Sequence, residues 1–369
     1  MSYAITRRDI PALALGSAVL GTGGGGNSYY GQLAANRLLA DDASVTVIGI
    51  DEMDPSSYAI TSAAIGAPLV CLEKPPSLLA LQSGFKSVRD ALRGKVGAFF
   101  AVEIGGLQCM FPLLLAAQCG VPLLDGDSIG RAFPEVQMST FAIYGTTRGL
   151  PSALSGDRGL LMAGMPDSGR ERAPSDPPGI ELERALRRVC ADNGGLIYMT
   201  AAYDHESLSR TLIRGTISLS LKIGRAVEAA RASHENPAAA ICRVADGRRF
   251  IGGKIADVQR TFRGGHDWGS ILIDGVDDDR ARQAAIDFKN EYLILKVDNQ
   301  VVLTVPDLIT LVETDTGAPV STEILRPGLR VTILGLPCSP LMRTERALRS
   351  VGPAAFGYDL PFVPLNPAS

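Results

Sequence analysis

The chain has 369 residues, 46% of them apolar and 20% charged, with a net charge of −3. That length supports two domains with ample core, and the near-balanced charge excludes an electrostatic case for nucleic acid. No basic run or interleaved aromatic stripe appears, and no apolar stretch is long enough to span a bilayer.

Arg7 and Arg8 precede an apolar run, which imitates a secretory leader. Asp9 and Pro11 sit at the junction, however, and the run ends in glycines rather than a small-x-small cleavage site. Residues 9–20 therefore predict a helix, with Thr6 or Asp9 near its N-cap and Pro11 in its first turn. A glycine loop at 21–26 closes it, and a second helix is expected over 29–40. Strands follow at 45–50, 57–65, 98–102 and 121–124, with helices at 79–92 and 111–119 between them. This order argues a parallel or mixed α/β sheet. Residues 164–180 are rich in Pro, Gly and charge and read as a loop. Residues 181–192 predict an amphipathic helix, with Leu182, Ala185, Leu186 and Val189 on one face. A long helix is expected over 211–232, with Gly215 and Gly224 as close-contact points.

Near residue 240 the character changes. Strands are expected at 241–244, 249–258, 270–273, 286–297, 301–305, 308–313 and 329–334. Asp246-Gly247, Asp298-Asn299 and Thr316-Gly317 are turn signals between them. Seven short strands at this spacing suggest a small all-β barrel or sandwich. The expected organisation is an α/β domain over 1–240, a small β-barrel-like domain over 241–345, and a tail over 346–369 packing back on the core.

Three constellations carry possible chemistry. The run Gly21-Thr22-Gly23-Gly24-Gly25-Gly26 lets backbone approach a ligand closely, and its N–H groups can cradle an anion. No Gly-Lys-Ser/Thr follows, so it is not a Walker A loop, and no strand leads in as a dinucleotide fingerprint requires. A tight turn between helices is the plainer alternative. Glu103 ends an apolar strand and is followed by Gly105, Gly106 and the amide of Gln108. Asp125 and Asp127 flank Gly126 at the next strand end, with Arg131 and Glu135 shortly after. Ligands of open α/β sheets bind beyond the carboxyl ends of strands. Such acids can pair one raised-pKa acid with one ionised base, or simply cap helices and pair with Arg131.

The six cysteines (71, 109, 119, 190, 242 and 338) show no CxxC pair or zinc spacing, which fits reduced thiols in a cytoplasmic protein. Cys109 is a nucleophile candidate if its thiolate is stabilised, against the common role of a small buried hydrophobe. Cys338, between two prolines, is weighed in the same way. His266 lies in a Gly-rich stretch beside Trp268 that either folds over a ligand or forms an exposed hairpin tip. The three histidines argue against a His-based zinc site. Three acids without histidine would suit a hard cation, but their spacing does not diagnose one, and no cofactor is expected.

The segments LGTGGGGN, EIGG, PLLDGDSIGRAFPEVQMST, GTIS, FKNEYL, TVPDLI and VGPAAFGYD together resemble the S-methyl thiohydantoin desulfurase family, over nearly the whole chain. The resemblance implies a Rossmann-like three-layer α/β domain joined to a small all-β barrel-like domain. It also implies hydrolysis at C2 of a hydantoin-like ring, with water replacing methanethiol. That chemistry needs a base or thiol nucleophile, an acid and donors for developing charge. Glu103, Asp125, Asp127 and Cys109 are the catalytic candidates. Thr22, Gly23, Gly24, Gly25, Gly26, Gln108, Arg131 and His266 are the substrate-binding candidates. The family pattern has Asn where this chain has Gln108, which bears on ring recognition. Two rival expectations stand beside this one. One is a hydantoinase-like subunit binding nucleotide or phosphate at the glycine loop; the other is a non-catalytic regulatory protein that binds a small molecule. In each case the partner is a small molecule, and the apolar content points to a homo-oligomer.

Overall fold

The computed structural model describes residues 2–40, 43–66, 70, 73–145, 150–165 and 179–365. Cys71, the stretch 166–178 of the expected loop and the last four residues of the tail lie outside them. In chain order the first part runs β1 (Tyr3–Thr6), α1 (Ile10–Leu20), α2 (Ser28–Leu38), β2 (Ser44–Ile48), β3 (Tyr58–Gly66), α3 (Leu78–Ala91), β4 (Val96–Phe99), α4 (Met110–Cys119), β5 (Leu123–Leu124) and β6 (Gly126–Asp127). It continues with α5 (Thr140–Tyr144), β7 (Ser152–Gly156), β8 (Gly159–Ala163), α6 (Ile180–Asp192), β9 (Leu196–Asp204), α7 (His205–Thr211), β10 (Ile213–Arg214), α8 (Thr216–Ser233) and α9 (Pro237–Val244). The remainder is β11 (Arg248–Arg263), β12 (His266–Gly275), β13 (Gln283–Lys289), β14 (Glu291–Val297), β15 (Gln300–Thr304), β16 (Leu308–Glu313), β17 (Arg330–Leu336) and α10 (Glu345–Val351).

Two large sheets organise these elements. One has eight strands in the order β1-β2-β5-β4-β3-β9-β7-β8. Its middle strands β2, β5, β4 and β3 run parallel, and both flanks are antiparallel. The other is wholly antiparallel, ordered β15-β14-β13-β12-β11-β17-β16, and curls so that β14 and β15 pack against β16. The protein is thus mixed α/β with a separate half-barrel sheet. Leu293, Ile294, Val305 and Leu308 of the half-barrel join the main core of the α/β part, so one apolar interior runs through both.

Several sequence expectations meet a different structure. Residues 241–244 are not a strand but the end of α9, which starts where Asn236 accepts from Ala239 N–H (3.1 Å) and Pro237 occupies the first turn. That start signal outweighs the short β-branched appearance. The single strand expected over 286–297 is a hairpin, broken at Asn290 with φ of 56°. The long helix expected from 211 begins at Thr216, because Gly215 takes a left-handed φ of 82° as its N-cap. Gly224 does make the expected close contact: a Cβ there would lie 1.9 Å from the Ala12 carbonyl of α1. Strands β7, β8 and β9 were not expected. β9 is buried on both faces, so its apolar run carries no alternation to read. Among the described residues, no helix is long and apolar enough to cross a membrane.

Candidate active site

A cavity of about 100 Å³ opens where β3 and β4 end. Ala63 to Gly66 form one wall, and Val102 with Glu103 form the next. Gly25, Gly26, Leu107 and Gln108 lie across from them. Ile129, Phe133 to Val136, Arg187 of α6, Met199 of β9, and Asn290 with Glu291 from the β13–β14 turn complete the lining. The site therefore sits at the carboxyl ends of parallel strands, where crossing connections leave a crevice, and the half-barrel closes it from outside.

The glycine loop is shaped by what it touches. Gly25 and Gly26 carbonyls both accept from Leu107 N–H (2.9 and 3.3 Å), while Gly106 N–H donates to the Ser17 carbonyl at 3.0 Å. A Cβ on residue 106 would lie 2.2 Å from the Gly26 carbonyl oxygen, so the two glycine segments meet backbone to backbone. At Gly24 a Cβ would fall 2.1 Å from Glu291 Oε1. The loop thus gives way to a carboxyl group as well as bordering the cavity. Among the described residues, the Gly25 and Gly26 N–H groups have no protein acceptor.

Glu103 and Glu291 face this cavity from opposite parts of the chain. Glu103 is buried, and its Oε2 accepts from Phe133 N–H at 3.1 Å. Burial first, then repulsion from Glu291, hold its carboxyl well above the usual range. Burial pushes Glu291 up to about 8, against the pull of Arg131 and Lys289. Both carboxyls therefore hold their protons to higher pH than a free glutamate, and Glu291 is poised to ionise near pH 8. Asp127 stands behind Glu103 rather than in the lining. Its Oδ2 collects the N–H groups of Ile104 (2.8 Å), Ile129 (3.2 Å) and Gly130 (2.7 Å). Burial raises it to about 7 despite those bonds, so it fixes the chain that carries Glu103.

The other candidates are distributed unevenly. Gln108 lines the cavity, but both ends of its amide are held by Ala64, which donates at 2.9 Å and accepts at 2.8 Å. Arg131 is fully buried, outside the lining, with donors spent on Thr22 Oγ1 (2.8 Å) and the carbonyls of Tyr292, Asp307 and Ala132 (2.9, 2.9 and 3.0 Å). It is a pin between glycine loop and half-barrel. Thr22 and Gly23 join the same seam, accepting from Tyr292 N–H (2.9 Å) and Thr322 N–H (2.8 Å). Asp125 is away from the cavity and holds the first turn of α8, accepting from Ser218 N–H (3.0 Å) and its hydroxyl (2.6 Å). Cys109 is buried outside the lining, and burial pushes its thiol up to about 12, which leaves no thiolate at neutral pH. Cys338 is buried too, its thiol likewise pushed up to about 12.

His266 lies outside the lining, against two residues that border the cavity. Its Nδ1 lies 3.2 Å from Asn290 Nδ2 and its Nε2 3.7 Å from Glu135 Oε1. Burial, then the cations Arg187 and Lys289, hold it down to about 3, so the ring is neutral. Lys289 donates to Glu135 and sits 5.1 Å from the centre of Trp268. Arg187 spends Nε on Glu183 (2.5 Å) and Nη2 on the Pro134 carbonyl (2.6 Å). Its Nη1 makes no hydrogen bond among the described residues. No group of three or more His, Cys, Asp or Glu there is placed to hold a metal ion.

Sequence reasoning missed Lys289, Asn290, Glu291 and Arg187, and set Glu135 in the Asp125–Arg131 cluster without singling it out as a site residue. The first three had a signal. Lys-Asn-Glu interrupts the apolar run AAIDFKNEYLILKV, and three consecutive polar residues break the alternation of a strand. All three are nonetheless buried. Arg187 carried no comparable mark.

Residues 8–165 match the S-Me-THD-like N-terminal domain and residues 178–365 the S-Me-THD-like C-terminal domain. No curated protein matches the chain. A crystal structure of a protein from Chromobacterium violaceum superposes with a TM-score of 0.81 at 22% identity, covering 99% of this chain and 100% of that one; at that identity the likeness speaks for the fold alone. With both halves matched in order, the chain belongs to the S-methyl thiohydantoin desulfurase family.

Proposed function

We propose that the protein hydrolyses an S-methyl thiohydantoin-like ring to the hydantoin and methanethiol. The observation that carries this reading is a pair of buried carboxyls, Glu103 and Glu291, both pushed upward and both bordering one small cavity. Ionised Glu291 takes a proton from water as its oxygen adds to C2. Protonated Glu103 gives its proton to the ring nitrogen. The C2–S bond then breaks. Glu291 returns its proton to the departing sulfur, and Glu103 recovers one from the new C2 hydroxyl, leaving a carbonyl. Both carboxyls end as they began. The Gly25 and Gly26 N–H groups and Arg187 Nη1 are free to bind ring oxygens as charge develops.

With this goes a division of the chain that we also propose: a Rossmann-like unit over 1–240 supplying Glu103, and a barrel-like unit over 241–345 supplying Glu291. The test is incubation of the purified protein with 2-methylthiohydantoin in ¹⁸O-water. Methanethiol should appear together with hydantoin labelled at the C2 oxygen. If methanethiol does not exceed that from Glu291→Gln, the reading is lost.

A further inference from the structure

Beside the polar cavity lies a second, larger space of about 250 Å³. The two share Val102, Ile129, Val136 and Met199 as a common wall. The character of the second space is different. Its floor is the ring pair Phe141 and Tyr203, 4.3 Å apart between centres and tilted by 32°. Phe100 meets both edge-on from beneath. Ala142 and Ala201 keep the chamber open by being small. Glu103 and Glu291 border only the first cavity.

The polar cavity alone is well under the ~300 Å³ at which small-molecule sites usually begin, while the two together reach it. A planar ring held between carboxyls would have its reacting carbon on one side and its C5 substituent on another. Aromatic floors favour flat apolar groups, and Met199 at the junction is an unbranched side chain that adapts to what passes it.

We propose that this chamber receives the C5 substituent of the ring, so that the substrates are thiohydantoins carrying an aryl or bulky alkyl group at C5. The inference rests on the desulfurase reading for the identity of the ring, but the chamber can be probed without turnover.

The experiment compares 2-methylthiohydantoins bearing hydrogen, methyl, isobutyl and benzyl at C5. In the parent, kcat/KM should rise along the series, by at least ~10-fold from hydrogen to benzyl, as expected when apolar groups fill a pocket. Ala142→Leu narrows the chamber and should cut the benzyl-to-hydrogen ratio by about 10-fold. Ala201→Val serves as the second variant should Ala142→Leu melt early. Thermal shift with hydantoin and 5-benzylhydantoin gives the binding arm. Equal turnover of all four rings overturns the chamber and leaves the reaction standing. No turnover, with 5-benzylhydantoin binding at least ~10-fold more tightly than hydantoin and losing that advantage in the variants, keeps the chamber and sinks the reaction. Neither turnover nor a binding preference sinks both.

Discussion

Glu103 and Asp125 each follow a short parallel strand of the same sheet, β4 and β5, yet their surroundings divide them. Asp125 is met by the first turn of α8, distant in sequence, where the N–H and hydroxyl of Ser218 take up both its oxygens. Glu103 is followed by two glycines that let another backbone segment press close, and only one of its oxygens finds a protein donor. An acid near a strand end is thus a helix anchor or a reactive group according to what the fold packs against it. A helix start packed on the carboxyl takes up both its oxygens; a glycine corner packed beside it leaves the group bordering a cavity.

The largest effect should come from the reactive side of that contrast. Glu103→Gln and Glu291→Gln should each lower kcat by ~10²–10⁴-fold, the usual scale of acid–base catalysis. Asp125→Asn should stay within about threefold of the parent, since its expected loss is ~1–2 kcal/mol of stability through Ser218. A matching collapse of kcat in Asp125→Asn would break the comparison outright. Next comes the seam. Arg131→Met strands the buried carbonyls of Tyr292, Asp307 and Ala132 and should cost at least ~3 kcal/mol in urea unfolding. A smaller loss would mean that the two parts hold together without it.

Titration sharpens the contrast further. Glu291 in an unfolded chain ionises near pH ~4.3, but in the fold only near 8. Between those values the folded protein keeps a proton that the unfolded chain has shed, so stability falls as pH rises through that window, by a few kcal/mol at ~1.4 kcal/mol per pKa unit. Glu291→Gln lacks this slope, so its Tm advantage over the parent should grow from pH 5 to pH 8. Parallel curves would remove the raised carboxyl. The same ionisation works the other way on rate, since the base must be charged: kcat/KM should climb toward pH 8. The smallest effect belongs to Cys109→Ala, where a buried neutral thiol predicts activity within about threefold of the parent. A loss beyond ~10²-fold would restore the thiol as nucleophile.

Much of the α/β part could be read from the chain. The first helix, the glycine loop and the strand leading to Glu103 announce themselves through Pro11, four glycines and an apolar run ended by an acid. The half-barrel was legible as a region of short strands. Its inward turn was not, because Lys289, Asn290 and Glu291 are polar yet buried, and composition treats polar residues as surface. β9 stayed hidden for the opposite reason, being apolar on both faces. At the site, Glu103 and the glycines at 25 and 26 carried local signals. That Glu291 and Arg187 are their partners was not legible, since both reach the cavity only through pairings distant in sequence.

That distance has a bearing on how the molecule is made. The Thr22 and Gly23 carbonyls are satisfied by Tyr292 and Thr322, residues that leave the ribosome only after most of the chain has been synthesised. Until then the Thr22 and Gly23 carbonyls lack these donors and are served by water, although Gly25 and Gly26 can already meet Leu107. The reactive centre is therefore assembled as one of the last acts of folding, and a nascent chain halted before residue 322 would carry the loop without the partner that gives it shape.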